Sequence, residues 1–599
     1  MTTQPHPEHN PADFARNMAA AAEKCQLIMQ EFLARQTHDI GDQPFDPLNV
    51  GHAFSELFTH MMSDPGQVWK KQLDLWQDYL HLWQNTAQHL LGEELQPVIA
   101  PDKKDKRFND AAWNQNAVFD FLKQSYLLSA RFLQRSVSEA AGNLPPHDAR
   151  KLDFYTRQFV DAMSPSNFLM TNPEVLKATI DSNGENLVHG LQNMLNDLER
   201  GHGNLRISMT DLQAFHVGQN LAITPGKVVF QNDLIQLIQY EPTTKQVHKT
   251  PLLVIPAWIN KYYILDLQPD NSVVKWLVDQ GHTVFIISWV NPDADLSRKS
   301  FDDYMFEGPL AAMDAIEQAT GEKQVSIMAY CLGGTLTSIT LAWLHAKKQQ
   351  NRVKSVIYLT TMVDFAEAGE LSVFIDEEQL QMLESRMSEK GYLEGSEMAT
   401  TFNMLRANDL IWSFVINNYL LGKDPFPFDL LYWNADSTRM PAAMHSFYLR
   451  NMYQNNRLVK HGELKIGGVP IDLRTIKTPT YILATREDHI APWKSTYVAT
   501  QIYGSETLRF VLTASGHIAG VVNPPSKNKY NHWVSHNHDF PKSPEKWLAE
   551  AEEQSGSWWP DYNSWQKSYA GEKVPARKPG SGKLKPIEDA PGSYVKVMV

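Results

Sequence analysis

MAYCLGGT, residues 328–335, is the stretch that decides the fold. The apolar run from Val325 to Tyr330 reads as a buried strand, and LTSITLAWLHAKKQ, which follows the octapeptide, reads as a helix. Between them stand Cys331, Gly333 and Gly334. Strand, sharp turn and helix around a lone nucleophile form the local pattern of a nucleophile elbow. Such a turn usually carries serine, and the cysteine found here sets the chemistry.

Further along the chain, TYILATREDHIAPW places Asp488 just after an apolar strand, and LRFVLTASGHIAG places His517 after the next. The order nucleophile, acid, histidine is that of the α/β-hydrolases, with each residue at the carboxyl end of a strand. A free thiol is mostly protonated at neutral pH, so Cys331 needs a neighbouring imidazole and a helix N-terminus beneath it. His517 supplies the base, and Asp488 orients the imidazole and stabilises its cation. His489 is the competing candidate for the base, but it adjoins the acid in sequence and better fits a supporting place behind it. The developing oxyanion requires two donors: the backbone N–H of Leu332, and one from the loop after PLLVIPAW, between Trp258 and Asn260, with Ile259 the candidate.

Around this constellation the texture after Gly201 alternates. Strand-like runs (VVFQNDLIQLIQY, PLLVIPAW, HTVFIISWV, VKSVIYLTT) are separated by helix-like ones such as NSVVKWLVDQG, which predicts a parallel sheet covered on both faces. The expected fold is therefore an α/β-hydrolase catalytic domain over 201–599, with a lid inserted at about 364–477. A helical domain over 1–200 precedes it, with little order expected in the first 45 residues because of Pro5, Pro7 and Pro11. From about Gly571 the tail, rich in Pro, Gly and Lys, reads as an extended wrap or a loose arm. Within the helical domain Trp69, Leu73, Trp76, Leu80 and Trp83 share one helix face. Such a stripe points at a core; its alternative use is a docking face.

Composition sets the bounds. The chain has 599 residues, 43% of them hydrophobic, enough for a large core. A formal charge of −13 opposes nucleic acid as a partner. With Cys25 and Cys331 its only cysteines, it has no disulfide framework, which fits a reducing compartment. No signal peptide or apolar run long enough to span a bilayer is evident, so a cytoplasmic protein is expected. His532, His536, His538 and Asp539 in NHWVSHNHD resemble a metal cluster, but no glutamate or cysteine completes a motif. They read as a solvated loop, and no metal is expected.

The stretches PAWINKYYILDLQPDNSVVKWLVDQGHTVFIISWVNPD, MAYCLGGT, REDHIAPW, ASGHIAGVVNPP and GSWWPDY closely resemble class I polyhydroxyalkanoate synthases, from about residue 70 onward. The family's G-x-C-x-G box falls on Ala329 to Gly333, with Ala329 in place of the first glycine. The resemblance implies a Cys331–Asp488–His517 triad and an (R)-3-hydroxyacyl-CoA substrate, 3-hydroxybutyryl-CoA and other short-chain units in particular. It further implies a growing polyester and free CoA as products, no other cofactor, a homodimer, and residence on cytoplasmic granules beside proteins such as phasins. A thioesterase or esterase on the same scaffold is the competing reading, and a catalytically silent granule scaffold is a third.

Overall fold

The computed structural model describes residues 10–39, 65–93, 95–142, 144–535 and 539–598. The sequence pattern predicts helix from Phe45 to about Ala100; residues 45–64 of that run, and His536 and His538, lie outside the described residues. The chain divides into two compact units: Met1–Asp211 together with Phe402–Phe426, and Leu212–Thr401 together with Pro427–Val599.

The first unit is helical. Its main helices are α1 (Pro11–Asp39), α2 (Pro65–Leu90), α3 (Ala117–Ala141), α4 (Pro146–Ala162), α5 (Pro173–Asp181) and α6 (Glu185–Arg200). Pro11 opens α1 instead of delaying it, because a proline at the first helical position gives up an N–H that has no intrahelical acceptor there. Asn10 caps this start by accepting from the Ala12 N–H at 3.0 Å, and α1 docks near α6, where Asn17 Nδ2 donates to Asn183 O at 3.0 Å. Residues 11–39 of that stretch thus form a helix despite the proline that opens it.

The aromatic stripe is a correction. Trp69, Leu73, Trp76, Leu80 and Trp83 are 68%, 59%, 64%, 55% and 62% exposed. Helix α2 instead packs on α3 through Leu82, which is fully buried, and through Tyr79, whose hydroxyl donates to Ser125 O at 3.1 Å. Leu75, Tyr79 and Leu82 form a second apolar row on another side of the helix, Leu75 and Leu82 each two residues, or about 200°, beyond Leu73 and Leu80, so most of the stripe is left exposed.

In the second unit the main sheet has eleven strands. In chain order these are β1 (Gly226–Gln231), β2 (Ile235–Tyr240), β3 (Leu252–Ile255), β4 (Val284–Trp289), β5 (Val325–Tyr330), β6 (Val353–Leu359), β7 (Thr480–Thr485), β8 (Leu508–Thr513), β9 (His532–Val534), β10 (Glu552–Gln554) and β11 (Glu588–Asp589). Their spatial order is β10-β9-β8-β7-β6-β5-β3-β4-β2-β1-β11. The middle, from β4 to β8, is parallel, and both ends are antiparallel. The sheet is therefore mixed where alternation alone implied a parallel one. In VVFQNDLIQLIQY the Asn232 side chain accepts from the N–H groups of Leu234 and Ile235, and the turn this stabilises is too short for a parallel crossover.

Each face of the sheet carries a hydrophobic core, and Cys331 packs against both. The interval between β6 and β7 supplies the insertion: helices at Glu377–Lys390 and Ala442–Tyr448, a wide helical run at Leu449–Gln454, and two small strand pairs. Phe402–Phe426, a piece of the interval read as lid, belongs to the first unit. There Tyr419 donates to Asp197 at 2.6 Å and the Asn418 amide to Ser208 O at 2.6 Å. The C-terminal tail is an extended wrap, pairing Lys573–Pro575 with Gln246–His248 and β11 with β1.

Candidate active site

The elbow forms where β5 meets α7 (Leu332–Ala346). Cys331 sits at φ 52° and ψ −118°, a backbone conformation that a side chain rarely adopts and that a functional turn can sustain. Ala329 lies two residues earlier, fully buried inside β5 and paired with Ile255 and Tyr358, and it is not among the positive-φ residues. That position asks nothing special of glycine, so alanine fits.

The two glycines answer to close approach. A Cβ on Gly333 would stand 2.2 Å from Ile255 O and 2.8 Å from Pro256 O. A Cβ on Gly334 would fall within van der Waals radii of the Thr361 side chain. Both residues let α7 start tight against the sheet, so its N-terminal dipole lies under the sulfur. Leu332 is the first residue of α7, where an N–H has no intrahelical acceptor. Ile259 lies on the loop leaving β3, the strand adjacent to β5, which brings that loop beside the elbow.

Asp488 follows β7 and His517 follows β8, and the fold brings them together: His517 Nδ1 lies 2.7 Å from Asp488 Oδ2. The carboxylate is buried and fixed on every side. Oδ2 also accepts from Thr485 Oγ1 at 2.9 Å, and Oδ1 accepts from the N–H groups of Ile490 at 2.9 Å and Ala491 at 2.8 Å. His489 is half-buried beside Asp488 in the chain, and it is His517 that the acid meets.

Burial pulls the His517 pKa down, but the charges of Asp488 and Cys331 and their hydrogen bonds outweigh it and raise the value to about 10. The imidazole is therefore held between the Asp488 carboxylate, its hydrogen-bond partner, and the sulfur of Cys331, which also acts on it through a hydrogen bond.

Sequence reasoning missed several neighbours. Tyr330 donates to His517 O at 3.2 Å, and its ring lies 5.4 Å from the imidazole. From the insertion come Tyr448 and Tyr453, their ring centroids 5.8 Å apart, each also packed on Phe365. Burial is the main cause that raises both phenols, and the nearby charge of Cys331 adds to it. FYLRNMYQN carries no motif that would have singled them out. Among the described residues no group of three or more His, Cys, Asp or Glu side chains is placed to hold a metal, and His532 Nδ1 lies 2.9 Å from Gly556 O.

A family model described as Poly-beta-hydroxybutyrate polymerase (PhaC) N-terminus matches residues 104–277, and one for the alpha/beta hydrolase fold matches 250–524, a span that includes Cys331, Asp488 and His517. The chain is 47% identical over 599 residues to the poly(3-hydroxyalkanoate) polymerase subunit PhaC of Rhizobium meliloti, covering 100% of this chain and 97% of that one. The chain belongs to the poly(3-hydroxyalkanoate) polymerase family. Two further polymerases of the family, from Methylorubrum extorquens (51% identity; 90% of this chain, 88% of that one) and Cupriavidus necator (44%; 89% of each), agree. Membership makes the chain an acyltransferase-type synthase on an α/β-hydrolase fold with a helical N-terminal region. No helix among the described residues is long and apolar enough to cross a membrane.

Proposed function

We propose that the chain polymerises (R)-3-hydroxyacyl-CoA, with 3-hydroxybutyryl-CoA as a principal substrate, through a thioester on Cys331. The observation that carries this reading is the Asp488-bound imidazole of His517, Nδ1 2.7 Å from the carboxylate, in a chain whose Cys331 sits on a strained elbow at φ 52°. With thiolate and imidazolium paired, the sulfur attacks the substrate carbonyl, the C–S bond to CoA breaks, and His517 gives its proton to the departing CoA thiolate. The oxyanion is met by the N–H groups of Leu332 and Ile259.

Acylation then changes the base. The sulfur loses its charge, so one of the two influences that hold the imidazole protonated disappears, and His517 is left neutral. It can take the proton of an incoming 3-hydroxyl group, whose oxygen attacks the Cys331 thioester. A new ester bond forms, the C–S bond breaks, and the thiolate–imidazolium pair is restored. Transfer from one thioester to another is nearly isoenergetic, so the activation of the acyl group survives until an alcohol consumes it. Tyr448 and Tyr453, close to the sulfur and packed on Phe365, supply aromatic surface that disfavours water. The chemistry calls for no cofactor beyond CoA, which enters as part of the substrate and leaves as product.

The exposed stripe of α2 fits contact with the polymer granule in the cytoplasm, with a phasin-like protein, or with a second copy in a homodimer. Incubation with (R)-3-hydroxybutyryl-CoA tests the catalytic reading. The expected result is CoA release together with insoluble polymer, both abolished by Cys331→Ala. Release of CoA with only free 3-hydroxybutyrate would instead assign a thioesterase.

A further inference from the structure

Lys261 stands two residues beyond Ile259, on the loop to which the second oxyanion donor is assigned. It is among the most deeply buried charges of the second unit: its side chain and that of Asp436 are each 1% exposed, with Nζ 3.2 Å from Asp436 Oδ1. An ammonium group has three protons to give and no acceptor. Two of them go to the backbone carbonyls of Val595 and Val597 in the C-terminal tail, each at 2.7 Å, while the charge pairs with Asp436. One side chain therefore ties three distant pieces of chain: the loop after β3, the insertion, and the tail.

The loop is held by the same pieces through its backbone. Trp433 Nε1 donates to Lys261 O at 2.7 Å, Thr438 Oγ1 donates to Trp258 O at 2.8 Å, and Asn260 bridges Ser437. Asp436 is fixed in turn by the Tyr263 hydroxyl at 2.9 Å. The tail is anchored elsewhere too: the Gln236 amide oxygen accepts from the N–H groups of Ser593 and Tyr594, and the Tyr594 hydroxyl donates to Asn232 O at 2.6 Å. Burying a charge pair this deeply is costly, and replacing such a pair with apolar groups is often neutral or stabilising. Stability alone therefore gives a weak reason for the pair, and its place beside the oxyanion loop gives a better one.

We infer that Lys261 is a positioning residue: with Asp436 and the carbonyls of Val595 and Val597 it forms a clasp that holds the Trp258–Asn260 loop where the Ile259 N–H can meet the oxyanion. The inference rests on the catalytic reading above. An oxyanion donor matters when a thioester carbonyl is attacked and has no part when the same thiolate is alkylated by iodoacetamide, so two reactions of one sulfur separate loop placement from the state of the thiol and imidazole.

The test uses the full chain with Lys261→Met, and with the double variant Lys261→Met/Asp436→Leu, which leaves no lone buried charge and carries the test if the single variant is recovered unfolded. CoA release in the first turnover from (R)-3-hydroxybutyryl-CoA should fall by about 10²-fold, in kcat more than in KM, while iodoacetamide alkylation of Cys331 keeps its wild-type rate. Acylation at the wild-type rate in the double variant would overturn the clasp, as would an equal loss in both reactions, which would place the effect on the thiol and imidazole or on the fold. If the wild-type chain itself fails to acylate Cys331 while alkylation proceeds, the polymerase reading is what falls.

Discussion

At the residue scale the site turns on one proton. His517 is held near 10 against its burial by Asp488 and the sulfur of Cys331. Both favour the cation, so capping the sulfur with a neutral group must lower the value. The imidazole of the free enzyme should stay protonated up to about pH 10, and after carboxamidomethylation of Cys331 it should titrate at clearly lower pH, as read by 15N NMR of the labelled ring. An unchanged midpoint would mean that the sulfur contributes nothing to the charge. The three residues involved were legible in the sequence because each follows an apolar strand within a few residues, and short-range pattern carries that information. Tyr448 and Tyr453 were not, since their closeness to the sulfur is created by the folding of the insertion.

At the element scale, the fit of α7 against β3 is what aims Cys331. Gly333 is needed for space: Ile255 O occupies the place of a methyl group, and a backbone atom cannot swing away. Gly333→Ala should cost about 1–3 kcal/mol in urea denaturation and slow acylation of Cys331. Gly516, beside His517, makes the contrast. A methyl group there meets nothing nearer than 3.6 Å, and the left-handed turn of the loop falls on Ser515 at φ 76°, so Gly516→Ala should be tolerated in both measurements. The glycines of the two loops look alike in sequence and differ in what stands opposite them. The same limit applies to the ends of the sheet, where a side-chain turn at Asn232, and no change in hydrophobicity, makes β1 and β2 antiparallel.

At the scale of the whole molecule, the two compact units share the chain unevenly, because Phe402–Phe426 leaves the insertion to complete the helical unit. Nothing local marks that exchange: Tyr419 is specified by Asp197, a partner far away in sequence. The outward turn of the α2 stripe was equally hidden, since α2 carries apolar residues on two faces and only the presence of α3 selects the one that is buried. Because the stripe is exposed, Trp69→Ser/Trp76→Ser should leave the thermal unfolding midpoint and the release of CoA from soluble substrate unchanged, while weakening sedimentation of the chain with polymer granules. A lowered midpoint would return the stripe to the core.

The central claim is that the acyl group rests on one sulfur between donor and polymer. Rapid quenching of the reaction with (R)-3-hydroxybutyryl-CoA, followed by peptide mass analysis, measures it most directly. The account predicts a hydroxybutyryl adduct on the peptide containing Cys331, formed in step with the first CoA released and lost as polymer grows. Polymer made by Cys331→Ala, or an adduct on any other residue formed at that rate, would contradict it.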